Sequence, residues 1–489
     1  MKKINNNNKG YNKLLFIAAL VFVFSCSKDY LDVDPNKPIP EQLNADDAEG
    51  LVNSIYSAHL QWVDSGTEVW NINSFSWIGV SSITSDNAEK GSIPGDPGRD
   101  KDLLDDFTFT PTVLSFSDLF EGHYKGIQRA NQALSRIPTF EMDAALQTRL
   151  IGEAKFLRAH FYFRLAKMFG GVSLITGRDS SLERATLEDT YKFIEQDLLD
   201  AISALPKKAD YTLEDLGRAT QGAAKALLAK LYMYYASNID ASKWQNVWDL
   251  TNEIMISNAY GLMPNYEDVW KDSHENNQES IFEIQGHGQL PTLVGIQGYS
   301  QTQAPRGGDD NLGWGFNTPT QDLADSYEAG DTRSDATIIF RGETLFDGRL
   351  ISESVLNPMY NQKAYSSTAP SIREGEKNIR VLRYAEVLLM NAEAALETGR
   401  DAASPLNTVR NRAGLGNAPT VDKAAIWRER RHELAFEHDR FFDLVRQGRA
   451  GQVLRAHGKA FVDGKHEYFP IPQVQIDKSE GILIQNSGY

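Results

Sequence analysis

The chain has 489 residues, 41% hydrophobic and 24% charged, an ordinary globular composition that excludes a wholly disordered chain. A formal charge of -16 and a mean hydropathy of -0.42 exclude a polytopic membrane protein and oppose binding to a nucleic-acid backbone. The single cysteine excludes an internal disulfide framework, a thiolate zinc cluster and a two-cysteine redox pair.

Residues 1–13 carry Lys2, Lys3, Lys9 and Lys13 and no acid, and the unbroken apolar run from Leu14 to Phe24 follows. As a helix that run spans only ~16 Å, too short for a hydrocarbon core of ~30 Å. It has no polar face, so a buried amphipathic helix does not suit it. A basic start, a short apolar middle and small residues behind it read as a secretory signal over residues 1–25. Cys26 follows Val23-Phe24-Ser25 directly, which resembles a bacterial lipobox. Val23 and Ser25 fit that pattern, whereas Phe24 is bulkier than the usual Ala or Ser. The thiol of Cys26 would carry the lipid, and three acyl chains anchor stably where one is marginal.

Residues 26–43 contain Pro35, Pro38 and Pro40 and read as an extended tether. Asp32, Asp34 and Asn36 imitate the start of an EF-hand loop. Lys37 and Leu43 stand where its glycine and closing glutamate belong, so calcium is not expected there.

Helical periodicity then dominates several windows. Over residues 153–169, Leu157, Phe161, Leu165 and Phe169 recur every four residues, and Gly170-Gly171 stop the helix. Over 220–235, Ala224, Leu227, Leu228, Leu231 and Tyr235 form one face, and a partner helix over 242–257 follows. The window 378–397 aligns Tyr384, Val387, Leu388, Ala392 and Ala395 before a stop at Gly399. Residues 402–412 and 423–446 read as further helices. In the last of these, Arg430, Arg431, Glu433 and Glu437 are spaced for i,i+3 and i,i+4 ion pairs, and Arg440 and Asp443 are expected to lock helix ends. Alanines interleaved with Leu and Tyr permit close helix pairs of the tetratricopeptide type, although no strict repeat is visible. Two long segments, 61–119 and 261–373, break the pattern with Ser, Asp, Gly, Asn and Pro. Loops of that length are uncommon unless functional. The expected fold is therefore all-α dominated, a tetratricopeptide-like helical-pair scaffold with two loop-rich excursions.

Catalytic templates do not fit. No phosphate-binding G-x-x-x-x-G-K-[ST] run and no G-x-S-x-G elbow occur, and Gly286-x-Gly288 and Gly313-x-Gly315 lack the third glycine of a dinucleotide loop. His432-Glu433 begins like a zinc protease motif, but the next histidine is His438, six residues on, which faces another side of a helix. A pair of glycosidase carboxylates cannot be picked out among 66 acids. No metal and no cofactor are expected.

Several longer motifs resemble the SusD/RagB family of Bacteroidetes outer-membrane lipoproteins. They are Cys26-Ser-Lys-Asp-Tyr-Leu-Asp, Glu153-Ala-Lys-Phe-Leu-Arg-Ala-His-Phe-Tyr-Phe-Arg-Leu with Phe169-Gly-Gly-Val, and Arg218-Ala-Thr-Gln-Gly-Ala-Ala-Lys-Ala-Leu-Leu. Further on come Ile379-Arg-Val-Leu-Arg-Tyr-Ala-Glu, Glu429-Arg-Arg-His-Glu-Leu-Ala-Phe-Glu, Arg440-Phe-Phe-Asp-Leu and the terminal Gln485-Asn-Ser-Gly-Tyr. The resemblance covers the chain from Cys26 onward. It implies a single domain over 44–489, with an N-terminal part (44–260) and a RagB-like C-terminal part (261–489). It also implies a surface-exposed, lipid-anchored outer-membrane protein that is not an enzyme. Such a protein captures oligosaccharides, or peptides in some members, and passes them to a TonB-dependent SusC-like transporter.

Sugar rings pack their C–H faces on aromatic rings, and Asn, Asp, Arg and Gln take their hydroxyls. Trp62, Trp70 and Trp314 lie in the excursions among Ser, Asp, Gly and Asn and are the candidate platforms, with Asn71, Arg306 and Asn311 as polar partners. Trp77, Trp244, Trp248 and Trp427 read as core. The family's Ser-Asp motif is present as Ser85-Asp86, but the loop after it holds no aromatic, only Gly, Pro and charges. That weakens the case for an aromatic arc fitted to helical glucans and leaves a polar or charged glycan, or a peptide, equally open. A secreted helical glycoside hydrolase and a pure protein-interaction scaffold are the alternatives from other classes.

Overall fold

The computed structural model describes residues 45–489, apart from 61, 65–66, 70–71, 97, 99, 287–297, 309–310 and 369–376. Asn44–Tyr489 forms one compact unit. The proposed signal, Cys26 and the tether lie outside the described residues. Among the described residues no helix is long and apolar enough to cross a membrane.

The scaffold is built from α1 (Ala45–Ser57), α2 (Leu114–Arg136), α3 (Ala144–Phe169), α4 (Leu187–Ala204), α5 (Gln221–Asn238) and α6 (Trp244–Ile256). In the C-terminal half, α7 (Tyr384–Glu397), α8 (Ala403–Arg412), α9 (Lys423–Glu433) and α10 (Arg440–Arg446) complete it. From α2 to α6 each helix packs on the next, and α7 continues the row against α6 and α8. This is the tetratricopeptide-like scaffold that the periodicity predicts.

Helix α3 is its axis. Asp143 caps it by accepting the Ala145 and Leu146 N–H groups at 2.9 and 3.0 Å. From Phe156 to Phe169 every side chain is buried, because α2 and α4 pack along the helix and α1 and α5 also touch it. A helix that is covered on all sides needs no polar face. Arg158 ties the three together, with Nε and Nη2 donating to Asp197 at 2.7 Å and Nη1 to Asn131 at 2.8 Å. Helix α5 approaches its neighbours closely because Ala223, Ala224, Ala226 and Ala229 are fully buried and short.

Two predicted helices end differently. In the window 378–397, residues Ile379–Arg383 form strand β8, paired antiparallel with β4 (Ser280–Ile284), and the helix starts only at Tyr384. The β-branched Ile379 and Val381 favour that extended start. The window 423–446 breaks between α9 and α10, where Phe436 and His438 adopt left-handed φ values of 63° and 69°. The intrahelical ion pairs expected there are replaced by long-range ones. Arg430 pairs with Asp443, Glu433 with Arg333, Arg383 and Arg412, and Glu437 with Lys363 and Arg383.

Among the described residues four two-stranded antiparallel sheets stitch the excursions. The first pairs β1 (Trp62–Asp64) with β2 (Thr67–Val69), and β6 (Ile338–Phe340) pairs with β7 (Met359–Asn361). The consequential one joins β3 (Ala88–Gly91) to β5 (Phe316–Pro319), with Ala88 opposite Pro319 and Gly91 opposite Phe316. It lays the first excursion beside the second.

Candidate functional site

Beyond that sheet two loops meet, residues 91–98 and 304–316. The second doubles back on the short helix Tyr299–Gln303 through three backbone bonds. The N–H groups of Gly313, Trp314 and Gly315 donate to the carbonyls of Pro305, Gln301 and Ala304 at 2.9, 2.7 and 3.0 Å. Glycine is required on both sides of Trp314. A Cβ on Gly313 would lie 2.4 Å from the Gln301 carbonyl oxygen, and Gly315 has φ +70°. Trp314 is half-buried, and its ring meets Phe75 edge-on at 6.2 Å. Phe75 in turn packs on Phe316 at 4.8 Å and lies under the Lys101 ammonium at 4.3 Å. Lys101 is buried and bonded to Asp100 and Ser115. The tryptophan therefore rests on a firm base.

Arg306, in the same loop, clamps the two loops together. Its Nη1 donates to Asp96 Oδ2 at 2.8 Å and to Ser92 Oγ at 2.5 Å. Ser92, at φ 61°, donates its N–H to the Gly315 carbonyl at 2.6 Å. The Arg306 carbonyl accepts from Leu356 N–H and from the Tyr360 hydroxyl. Burial would raise the Asp96 carboxyl, but the hydrogen bonds from Arg306, Gly98 and Ser92 hold it below the ordinary carboxylate value. Asn311 is exposed at φ 41°, and its Oδ1 accepts the Gly307 N–H at 3.0 Å. Its carbonyl oxygen thus closes the turn.

The structure brings Arg306, Asn311 and Trp314 into one loop system. Trp62 lies in β1 opposite Val69, with its side chain outside the described residues, as are Trp70 and Asn71. Sequence reasoning missed Asp96, Ser92 and Phe75. The Gly95-Asp96-Pro97-Gly98 run marks a polar loop, but nothing local reveals that Asp96 meets an arginine 210 residues away. Trp77 and Trp244 are buried, while Trp248 and Trp427 are only partly covered.

Two buried carboxylates elsewhere, Glu433 and Asp86, hold arginines. Glu433 faces three arginines, which overcome the upward effect of burial and hold it far below its ordinary value. Asp86, Asp322 and His457 place ligand atoms within 4.8 Å of one another. Asp86, however, already holds Arg440 with both oxygens and Arg431 with one, so two guanidinium groups occupy the place of a cation.

Residues 29–233 match a family model described as starch-binding associating with outer membrane, and residues 352–489 match that of the SusD family. A SusD-like protein of Bacteroides ovatus is 26% identical, covering 89% of this chain and 82% of its own. SusD-like protein P2 of Formosa agariphila is 24% identical, covering 98% and 99%. Among solved structures, a laminarin binding SusD-like protein superposes with a TM-score of 0.78 at 29% identity, covering 91% of this chain and all of that one. Surface glycan-binding protein A from Bacteroides thetaiotaomicron gives a TM-score of 0.78 at 25% identity, covering 90% and 98%. The two family models together span well over half of the sequence, and this chain belongs to the SusD/RagB family.

Proposed function

We propose that the chain is a non-catalytic, cell-surface glycan-binding protein. It captures oligosaccharides and delivers them to a TonB-dependent SusC-like transporter, held at the outer membrane by acyl chains on Cys26. The observation that carries this reading is the seat of Trp314 on Phe75 in the same loop that pairs Arg306 with Asp96. An aromatic between two obligatory glycines offers a platform for a sugar C–H face. The neighbouring guanidinium and carboxylate take the hydroxyls of the same ring, since charge-assisted hydrogen bonds are the strong ones. Likeness to a laminarin-binding relative makes a laminarin-type β-glucan the first ligand to try. Trp62, Trp70 and Asn71 are proposed to extend the surface, with Asn311 as a rim residue.

Affinity electrophoresis of the mature chain in gels cast with laminarin and with other polysaccharides tests the reading. Retardation that Trp314→Ala abolishes supports it, and so does the absence of released reducing ends. Migration unaffected by every glycan, with retention on an oligopeptide matrix instead, would move the chain to the peptide-binding branch. Newly released reducing ends would make it a hydrolase. Metabolic labelling with a fatty acid, lost in Cys26→Ala, tests the anchor. Co-purification of a large barrel protein tests the transporter partnership.

A further inference from the structure

A cavity of about 50 Å³ lies inside the scaffold where α3, α5, β8 and the turn before α10 meet. Arg164, Lys167, Lys230, His160 and Asp439 line it, with Trp77 on one wall. All six are at least nine-tenths buried.

The charges around it pair off, save one. Asp439 takes both Lys167 and Lys230, and Glu386 lies 2.9 Å from Lys230. Arg430 and Arg446 are matched by Asp443 and Glu393. Arg380 and Glu437 also line the cavity, but Arg380 lies against Glu275 and Glu283, and Glu437 against Lys363 and Arg383.

Arg164 remains. Its Nη1 donates to Asn73 and its Nη2 to the Ile72 carbonyl at 2.7 Å, while the guanidinium lies 3.6 Å from the Trp77 ring centroid. Among the described residues it makes no ion pair: the carboxylate that acts on it, Asp439, is already shared by Lys167 and Lys230, and its buried Nε–H has no acceptor. His160 Nδ1, also buried, is likewise unpartnered among them. Burial pushes Arg164 down to about 9, which still leaves it charged at neutral pH. Burial keeps His160 and His438 neutral, so the surplus is one positive charge.

We propose that this cavity is a site for one monovalent anion of chloride size, held by Arg164 with Lys167 and Lys230. A buried charge without a counter-charge is strongly unfavourable, and water alone leaves the surplus in place. The volume exceeds the roughly 10–15 Å³ that one water needs, so a halide and a water fit together. A divalent oxyanion would overshoot the single surplus charge. Because Arg164 also holds Ile72 and Asn73, the anion steadies the segment that leads to Phe75. The inference does not depend on what the surface loops bind.

The test uses the mature chain exchanged into gluconate. Chloride and bromide, added at constant ionic strength, are expected to raise the melting temperature saturably by a few degrees, with no such effect of further gluconate. Crystals grown in bromide are expected to show an anomalous peak within contact distance of Arg164 and Lys167. Arg164→Met is expected to remove the halide effect, and if it does not fold, the wild-type bromide map decides alone. Ordered water without an anomalous peak, or a halide effect whose peak lies elsewhere, overturns the proposal.

Discussion

Arg440 holds Asp86 by two parallel hydrogen bonds, Nε to Oδ1 and Nη2 to Oδ2, each 2.7 Å long, across 354 residues of sequence. Asp86 is only 1% exposed, and Arg431 Nη2 lies 3.2 Å from its second oxygen. Burial alone would raise this carboxyl, but Arg440 first and Arg431 next hold it well below the usual carboxylate range. The pair fixes the start of α10 against the residues that lead into β3, and so sets where loop 91–98 emerges.

Removing one partner of such a pair leaves a buried charge exposed to an apolar surrounding. Arg440→Met is therefore expected to cost about 3 kcal/mol, moderated because Arg431 remains. Asp86→Asn combined with Arg440→Met is expected to cost clearly less than the two single changes added together. Urea unfolding of the four proteins measures this. Strict additivity would show that the two residues do not act as a unit.

The Arg306–Asp96 pair makes the opposite case. Its side chains are 29% and 26% exposed, so solvent screens it and its share of stability is small. Arg306→Ala is expected to shift stability by less than about 1 kcal/mol. Glycan affinity, by contrast, is expected to fall at least tenfold, by loss of a hydroxyl donor and of the clamp on the loops. Isothermal titration alongside thermal melting separates the two effects. Equal binding by wild type and variant would remove Arg306 from the site.

The helices were readable because their cause is local. Leu157, Phe161, Leu165 and Phe169 recur at helical spacing, and Gly170 does adopt the positive φ of 75° expected of a helix stop. Strand β8 was not, since five residues of mixed Ile, Val and Arg before a strong helix carry no period of their own. Its extended state comes from pairing with β4, about a hundred residues earlier in sequence. The same distinction runs through the candidate site. Gly313-Trp314-Gly315 announces a presented aromatic within three residues, whereas Asp96, Ser92 and Phe75 join it only through the β3–β5 pairing. Arg430, Arg431, Glu433 and Glu437 show how a helical spacing misleads: their charges point to partners in other elements, which the spacing cannot encode.

Gly171 offers a test of the turn that ends α3. A Cβ there would sit 2.1 Å from the Ala185 carbonyl oxygen and 2.8 Å from the Thr186 carbonyl carbon, both backbone atoms that cannot rotate away. Gly171→Ala is expected to destabilise by roughly 2 kcal/mol or more, as overpacking does. Gly177→Ala, with nothing within 4 Å, is expected to be within about 0.5 kcal/mol of wild type. Melting both variants side by side checks it. A neutral Gly171→Ala would mean that the segment 184–187 shifts freely.

Acid should weaken the fold through its buried histidines before the ordinary surface carboxylates titrate. His59, His123, His160, His432 and His438 are all held below the ordinary imidazole value of 6.5 by burial, with arginines Arg164 or Arg333 and neighbouring histidines adding to it. His432 and His438 are pushed down to about 3. In the unfolded chain these rings take up protons as pH falls through about 6.5, while in the folded chain they do not. The unfolded state then binds more protons, so the stability present above pH 6.5 is lost as pH drops. Each ring contributes about 1.4 kcal/mol per pH unit over the range where only the unfolded form is protonated. Below pH 4 the depressed carboxyl of Asp86 adds a loss of the same sign. Buried carboxyls raised above their ordinary values, Glu343 at about 7 and Glu153, Asp197, Glu275 and Glu429 with it, work the other way, so the urea midpoint is expected to fall between pH 7 and pH 5 by the histidines' share less theirs. His438→Gln should flatten that fall by one ring's share, since the amide can still bond toward Ser81 or Tyr299 but cannot titrate. A midpoint unchanged from pH 7 to pH 5 would show that these imidazoles are hydrated in the folded protein rather than sealed in its core.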